Sequence, residues 1–160
     1  MSISIDIAAE AEEWDSIEGL ETLVRRAAVT AIESVGTNDG EVSIVLSDDD
    51  HIRELNKHHR GIDKPTNVLS FPAAQINAPG APRLLGDVVL AYGTVAREAA
   101  EESKPFLNHA AHLVVHGVLH LLGFDHMNDN DAETMEAKER SILSTLGIPD
   151  PYEGTEARLA

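Results

Sequence analysis

The chain has 160 residues, enough for one domain that buries roughly 70% of its unfolded surface and too few for two full domains. It contains no cysteine, which excludes disulfide scaffolds, thiolate nucleophiles and cysteine-bound zinc. Its 28 Asp+Glu against 12 Lys+Arg give a formal net charge of -16, which argues against a general nucleic-acid binder and against a protein that lies on anionic membranes.

The first 21 residues carry seven acids, no base and no long apolar stretch, and so match neither a secretory signal nor a transit peptide. No window approaches the roughly 18 apolar residues of a membrane span, and a cytoplasmic protein without membrane partners is expected. Alternation over 2–7 predicts a strand. Leu20, Leu23, Val24, Ala27, Ala28, Ala31 and Ile32 recur at helical spacing and predict an amphipathic helix over about 16–35, closed by a turn at Gly36, Asn38, Asp39 and Gly40. Residues 41–46 read as a second strand, after which Ser47 or Asp48 can cap a helix reaching about His59. A third strand at 67–71 is confined by Pro65 and Pro72. Residues 73–85 read as an exposed loop, and the apolar run at 86–91 as a central strand.

Helices are predicted at about 94–103, 105–122 and 129–146. The last is capped by Asp129 or Asp131 and buries Ala132, Met135, Ile142, Leu143 and Leu146. Residues 149–160 have little to bury and are expected to fray. The whole predicts one domain over 1–160 of the α+β class, a single four-stranded mixed sheet packed with about five helices.

His109, His112, His116 and His120 are spaced three, four and four apart, and at 100° per residue they project within about 80° of one another on one helical face. His112 and His120 are about 12 Å apart along the axis and cannot share an ion, whereas His112 with His116, or His116 with His120, can. Gly123 decides between the pairs. It can take the left-handed conformation that ends a helix, and the reversal carries His126 toward His120 and His116. The expected metal site is therefore His116, His120 and His126, at the C-terminal end of a central helix and in the loop after it.

The string HGVLHLLGFDH has the histidine and glycine spacing of the metzincin motif, with Gly117 where those proteases carry their glutamate base. Three neutral histidines leave zinc a fourth position for water, as in catalytic sites, although imidazole also suits nickel, copper and iron. Asp125 reads either as a group orienting a histidine N–H or as a turn residue. His109 and His112 are expected to pack or to line a pocket.

Arg53, Lys57, Arg60 and Lys64 form the one concentrated basic patch of the acidic chain. Such residues can be solvated cations at a helix C-terminus. Arg60, held where the helix turns into the strand at 67–71, also suits a bidentate grip on phosphate.

The histidine string, together with NKHHRGIDKPTNVLSFP and GDVVL, resembles the bacterial YbeY family, with matching segments from about 41 to 146. The resemblance implies a single-strand-specific, zinc-dependent endoribonuclease that acts in 16S rRNA 3′-end maturation and ribosome quality control. It implies one zinc per chain on His116, His120 and His126, and a functional arginine at Arg60. Expected partners are single-stranded RNA, ribosomal RNA and the small ribosomal subunit or its proteins, and no DNA. Zinc-activated water with arginine stabilisation of the phosphate is the expected mechanism, the base being either zinc hydroxide or a group elsewhere in the fold. The alternatives are a zinc peptidase, which Gly117 deprives of its base, and a non-catalytic, metal-stabilised ribosome assembly factor.

Overall fold

A computed structural model describes residues 2–74, 83–125 and 127–152. Four strands, β1 (Ile3–Ala9), β2 (Gly40–Ser47), β3 (Val68–Pro72) and β4 (Leu84–Ala91), form one sheet in the order β1-β2-β4-β3. β1 and β4 both run parallel to β2, while β3 pairs antiparallel with β4 at the far edge. Among the described residues five α-helices accompany it, α1 (Leu20–Glu33), α2 (Asp49–Arg60), α3 (Tyr92–Glu101), α4 (Phe106–Leu121) and α5 (Asp129–Thr145). The α+β class, the four-stranded mixed sheet and the five helices are those the sequence predicts.

Strand alternation divides the apolar residues between the two faces of the sheet. Val88 and Leu90 face the larger core with α1 and α4, while Val89 and Ala91 face a smaller one with Ile52 of α2 and Leu69 of β3. Helix α4 buries ten residues from His109 to Leu119, and α5 packs across it. A helix buried nearly all round is a rigid place from which to hang functional side chains.

The structure differs from the sequence reading at several boundaries. The first helix begins at Leu20, after a short 3-10 helix at Glu12–Ser16. In that 3-10 helix Trp14 is buried against Tyr92 and Phe106 and donates its indole N–H to the Ser47 carbonyl at 2.8 Å, which anchors the acidic N-terminal segment. β4 starts at Leu84 because the β2 pairing continues past a bulge near Gly86. A Cβ at Gly86, whose φ is +138°, would meet the Phe71 carbonyl, so only glycine fits there. Asp48 caps α2 as one of the two expected groups, but α5 is capped by Asn128, which precedes both expected aspartates and accepts from Asp131 N at 2.9 Å. Of the expected frayed tail, Pro151 is buried and Tyr152 is hydrogen-bonded, while 153–160 lie outside the described residues.

Candidate functional site

Helix α4 enters at Pro105 and ends at Gly123, which takes the expected left-handed conformation at φ 103°. The Phe124 N–H then bonds back to the Leu119 carbonyl at 3.0 Å, closing the turn. One turn before this cap, His116 and His120 face each other with their Nε2 atoms 3.1 Å apart. Two imidazole nitrogens bound to one tetrahedral zinc at about 2.0–2.1 Å lie about 3.3 Å apart, so the pair already has the spacing that a shared ion requires. His126, the third expected ligand, lies outside the described residues, and no cluster of three or more potential ligands forms among the described ones.

A residue that the sequence reading did not single out completes the arrangement. Glu139 of α5 is fully buried, and its carboxylate accepts from His112 Nε2 at 2.6 Å, His116 Nδ1 at 2.7 Å and the Tyr152 hydroxyl at 2.5 Å. Burial pushes this carboxyl up, but the hydrogen bonds and the charge interaction with the two histidines outweigh it and hold it at about 2. With Nδ1–H given to Glu139, the neutral form of His116 carries its lone pair on Nε2, the atom that faces His120. One clue was present in the sequence. Glu139 falls four residues after Met135 and three before Ile142, on the apolar stripe of α5 where an acid has no place unless it is paired.

Gly117 is explained by packing. A Cβ there would come within 2.7 Å of Val88 Cγ1 and 3.1 Å of Ser70 Oγ, because α4 lies directly on the sheet. The Ser70 hydroxyl donates to the Gly117 carbonyl at 2.8 Å and ties β3 to the helix at this point. The position after the first histidine thus faces the sheet, and no glutamate base can stand there.

An open cleft of about 680 Å³ brings the two predicted constellations together: Arg60, Thr66, Asn67 and residues of β3 form one side, and His116, His120, Gly123 and Asp125 the other. Arg60 is the last residue of α2, released by the left-handed Gly61, and it is the only Lys or Arg among the described residues lining the cleft. The basic patch is therefore narrower than the sequence suggests. Arg53 Nε donates to Asp63 at 2.7 Å, which holds the Asp63 carboxyl below and the guanidinium above their usual ranges, and the groove beside Lys57 is also lined by Asp50 and Glu54. His109 and His112 lie outside the cleft and are buried, as expected of packing residues, each against a glutamate.

The chain is similar to known proteins over most of its length. The family profile described as Endoribonuclease YbeY matches residues 6–147. A Rhodopseudomonas palustris protein named Endoribonuclease YbeY is 53% identical over 155 residues, covering 94% of this chain and 82% of its own. One of the same name from Bradyrhizobium diazoefficiens is 52% identical over 153 residues, covering 92% and 84%. A Thermotoga maritima protein solved in solution superposes with a TM-score of 0.57 at 26% identity, covering 96% of this chain and 99% of its own.

Proposed function

The chain belongs to the YbeY family of endoribonucleases, and from that membership we propose that it hydrolyses single-stranded RNA, with zinc, in the cleft between Arg60 and the His116–His120 pair. The observation that carries the reading is the convergence, from α2 and α4, of Arg60 and two facing imidazoles in one open cleft. The substrate is the ribosomal RNA of the small subunit, cut in 16S 3′-end maturation and in ribosome quality control, in the cytoplasm.

His116 and His120, with His126 from the loop that follows, are the residues that would hold the metal. Bound there, zinc supplies Lewis acidity at a phosphodiester oxygen and lowers the pKa of a water. The chain's own groups do the rest. Arg60 reaches the cleft from a helix end and offers a planar, bidentate donor set to a phosphate. Glu139 is committed to three donors and keeps His116 aligned, which removes it from service as a base. The net charge of -16 leaves the protein dependent on a ribosomal partner for affinity, since the one Lys or Arg among the described residues of the cleft cannot hold a long RNA.

One assay tests the proposal, with metal-replete and chelated protein offered single-stranded RNA, duplex RNA and casein. The expected result is cleavage of the single strand alone, by the replete protein alone. Casein cleavage, or RNA cleavage indifferent to chelation, would overturn it. In the same assay Arg60→Glu is expected to lose about 10²–10³-fold in cleavage rate, the cost of removing one preorganised donor, with bound zinc and fold retained.

A further inference from the structure

Helix α5 and the C-terminal segment supply a support for the cleft. Glu139 Oε2 faces His116 Nδ1, while Oε1 faces both His112 Nε2 and the Tyr152 hydroxyl, so one carboxylate joins α4, α5 and the segment that follows α5. His112 and Tyr152 are held by packing. His112 is 3% exposed, its ring stands edge-on to Tyr152 with centroids 5.4 Å apart, and Arg140 lies 5.3 Å above the tyrosine ring. An unpaired carboxylate at full burial is strongly disfavoured, so the three donors and the acid specify one another's positions.

We propose that Glu139 is a positioning residue for metal capture: it accepts the Nδ1–H of His116, thereby fixes the tautomer that presents Nε2 to the cleft, and is itself held by His112 and by Tyr152 of the C-terminal segment. The inference rests on the metal reading given above and adds to it a carboxylate from another helix and a role for residues near the chain end. A carboxylate of this kind raises the basicity of the imidazole it holds and prevents the ring from turning its protonated nitrogen to the metal. Glutamine at 139 would keep the volume and one acceptor, but would turn an N–H₂ group toward the other donors. Tyr152→Phe removes one donor while leaving the carboxylate and both histidine bonds in place.

The test begins on metal-free wild-type protein, where long-range ¹H–¹⁵N spectra of the imidazole nitrogens report each tautomer directly. His116 is expected as the Nδ1–H tautomer, and an Nε2–H tautomer would overturn the proposal without any variant having to fold. Zinc affinity by chelator competition is then compared among wild type, Glu139→Gln, Glu139→Asp and Tyr152→Phe. A loss of about 10–100-fold is expected for Glu139→Gln, with smaller losses for Glu139→Asp and Tyr152→Phe. A folded Glu139→Gln protein that keeps both the tautomer and wild-type zinc affinity would contradict it. Wild-type protein that binds no zinc would instead overturn the metal reading, with the tautomer spectrum still deciding the role of Glu139.

Discussion

The two ends of helix α4 carry the same residue type to opposite purposes. At the N-terminal end His109 and His112 are 2% and 3% exposed, and each gives a ring N–H to a glutamate, Glu98 or Glu139. The second ring nitrogen, Nδ1, of each has no hydrogen-bond partner among the described residues, so the carboxylate at Nε2 is the contact that holds each ring. At the C-terminal end His116 and His120 are only partly buried and direct their Nε2 atoms at one another beside an open cleft. Burial and partner, more than residue identity, distinguish the two pairs, and the proposed metal falls on the less buried one. Glu139 touches both pairs and marks the boundary between them.

Substitutions at the two ends should separate cleanly. His116→Ala is expected to reduce single-stranded RNA cleavage by about a thousandfold or more, because metal stabilisation of the transition state is worth several kcal/mol. His109→Ala is expected to keep cleavage within a few-fold of wild type and to lose about 1–3 kcal/mol of unfolding free energy in urea, since it leaves the Glu98 carboxylate short of a donor. Equal losses of activity from the two variants would erase the distinction.

A smaller effect concerns acid. Burial pushes the Glu98 carboxyl up, but hydrogen bonds from His109 and Asn67 outweigh it and leave the group below its ordinary value of 4.5. A carboxyl lowered by folding contributes stability that is present above the unfolded value and is lost as the pH falls through the folded one. The urea midpoint of wild type should therefore decline below about pH 4.5, and that decline should be shallower in His109→Ala. Parallel curves would show that the His109–Glu98 pair does not contribute to the acid limb.

Much of this was legible in the sequence because it is local. The three-and-four spacing of the histidines fixes a shared face of α4, Gly123 marks the reversal after it, and period-two alternation locates strands such as β1. Arg60 was readable from its place between a helix end and the third strand. What could not be read arises between elements distant in the chain. Glu139 lies on another helix from the histidines it holds, and only its place on an apolar stripe hints at a buried partner. Trp14 sits in an acidic stretch without periodicity, so its burial against Tyr92 and Phe106 depends on the assembled fold. The exclusion of a side chain at Gly117 follows from how closely α4 approaches Val88, a tertiary distance that no local pattern encodes.

The central claim is that the metal belongs to the cleft end of α4, and zinc content measured by elemental analysis of purified wild type, His120→Ala and His109→Ala tests it most directly. The account predicts about one equivalent of zinc in wild type and in His109→Ala, and almost none in folded His120→Ala. Full zinc in His120→Ala, or loss of zinc from His109→Ala, would contradict it.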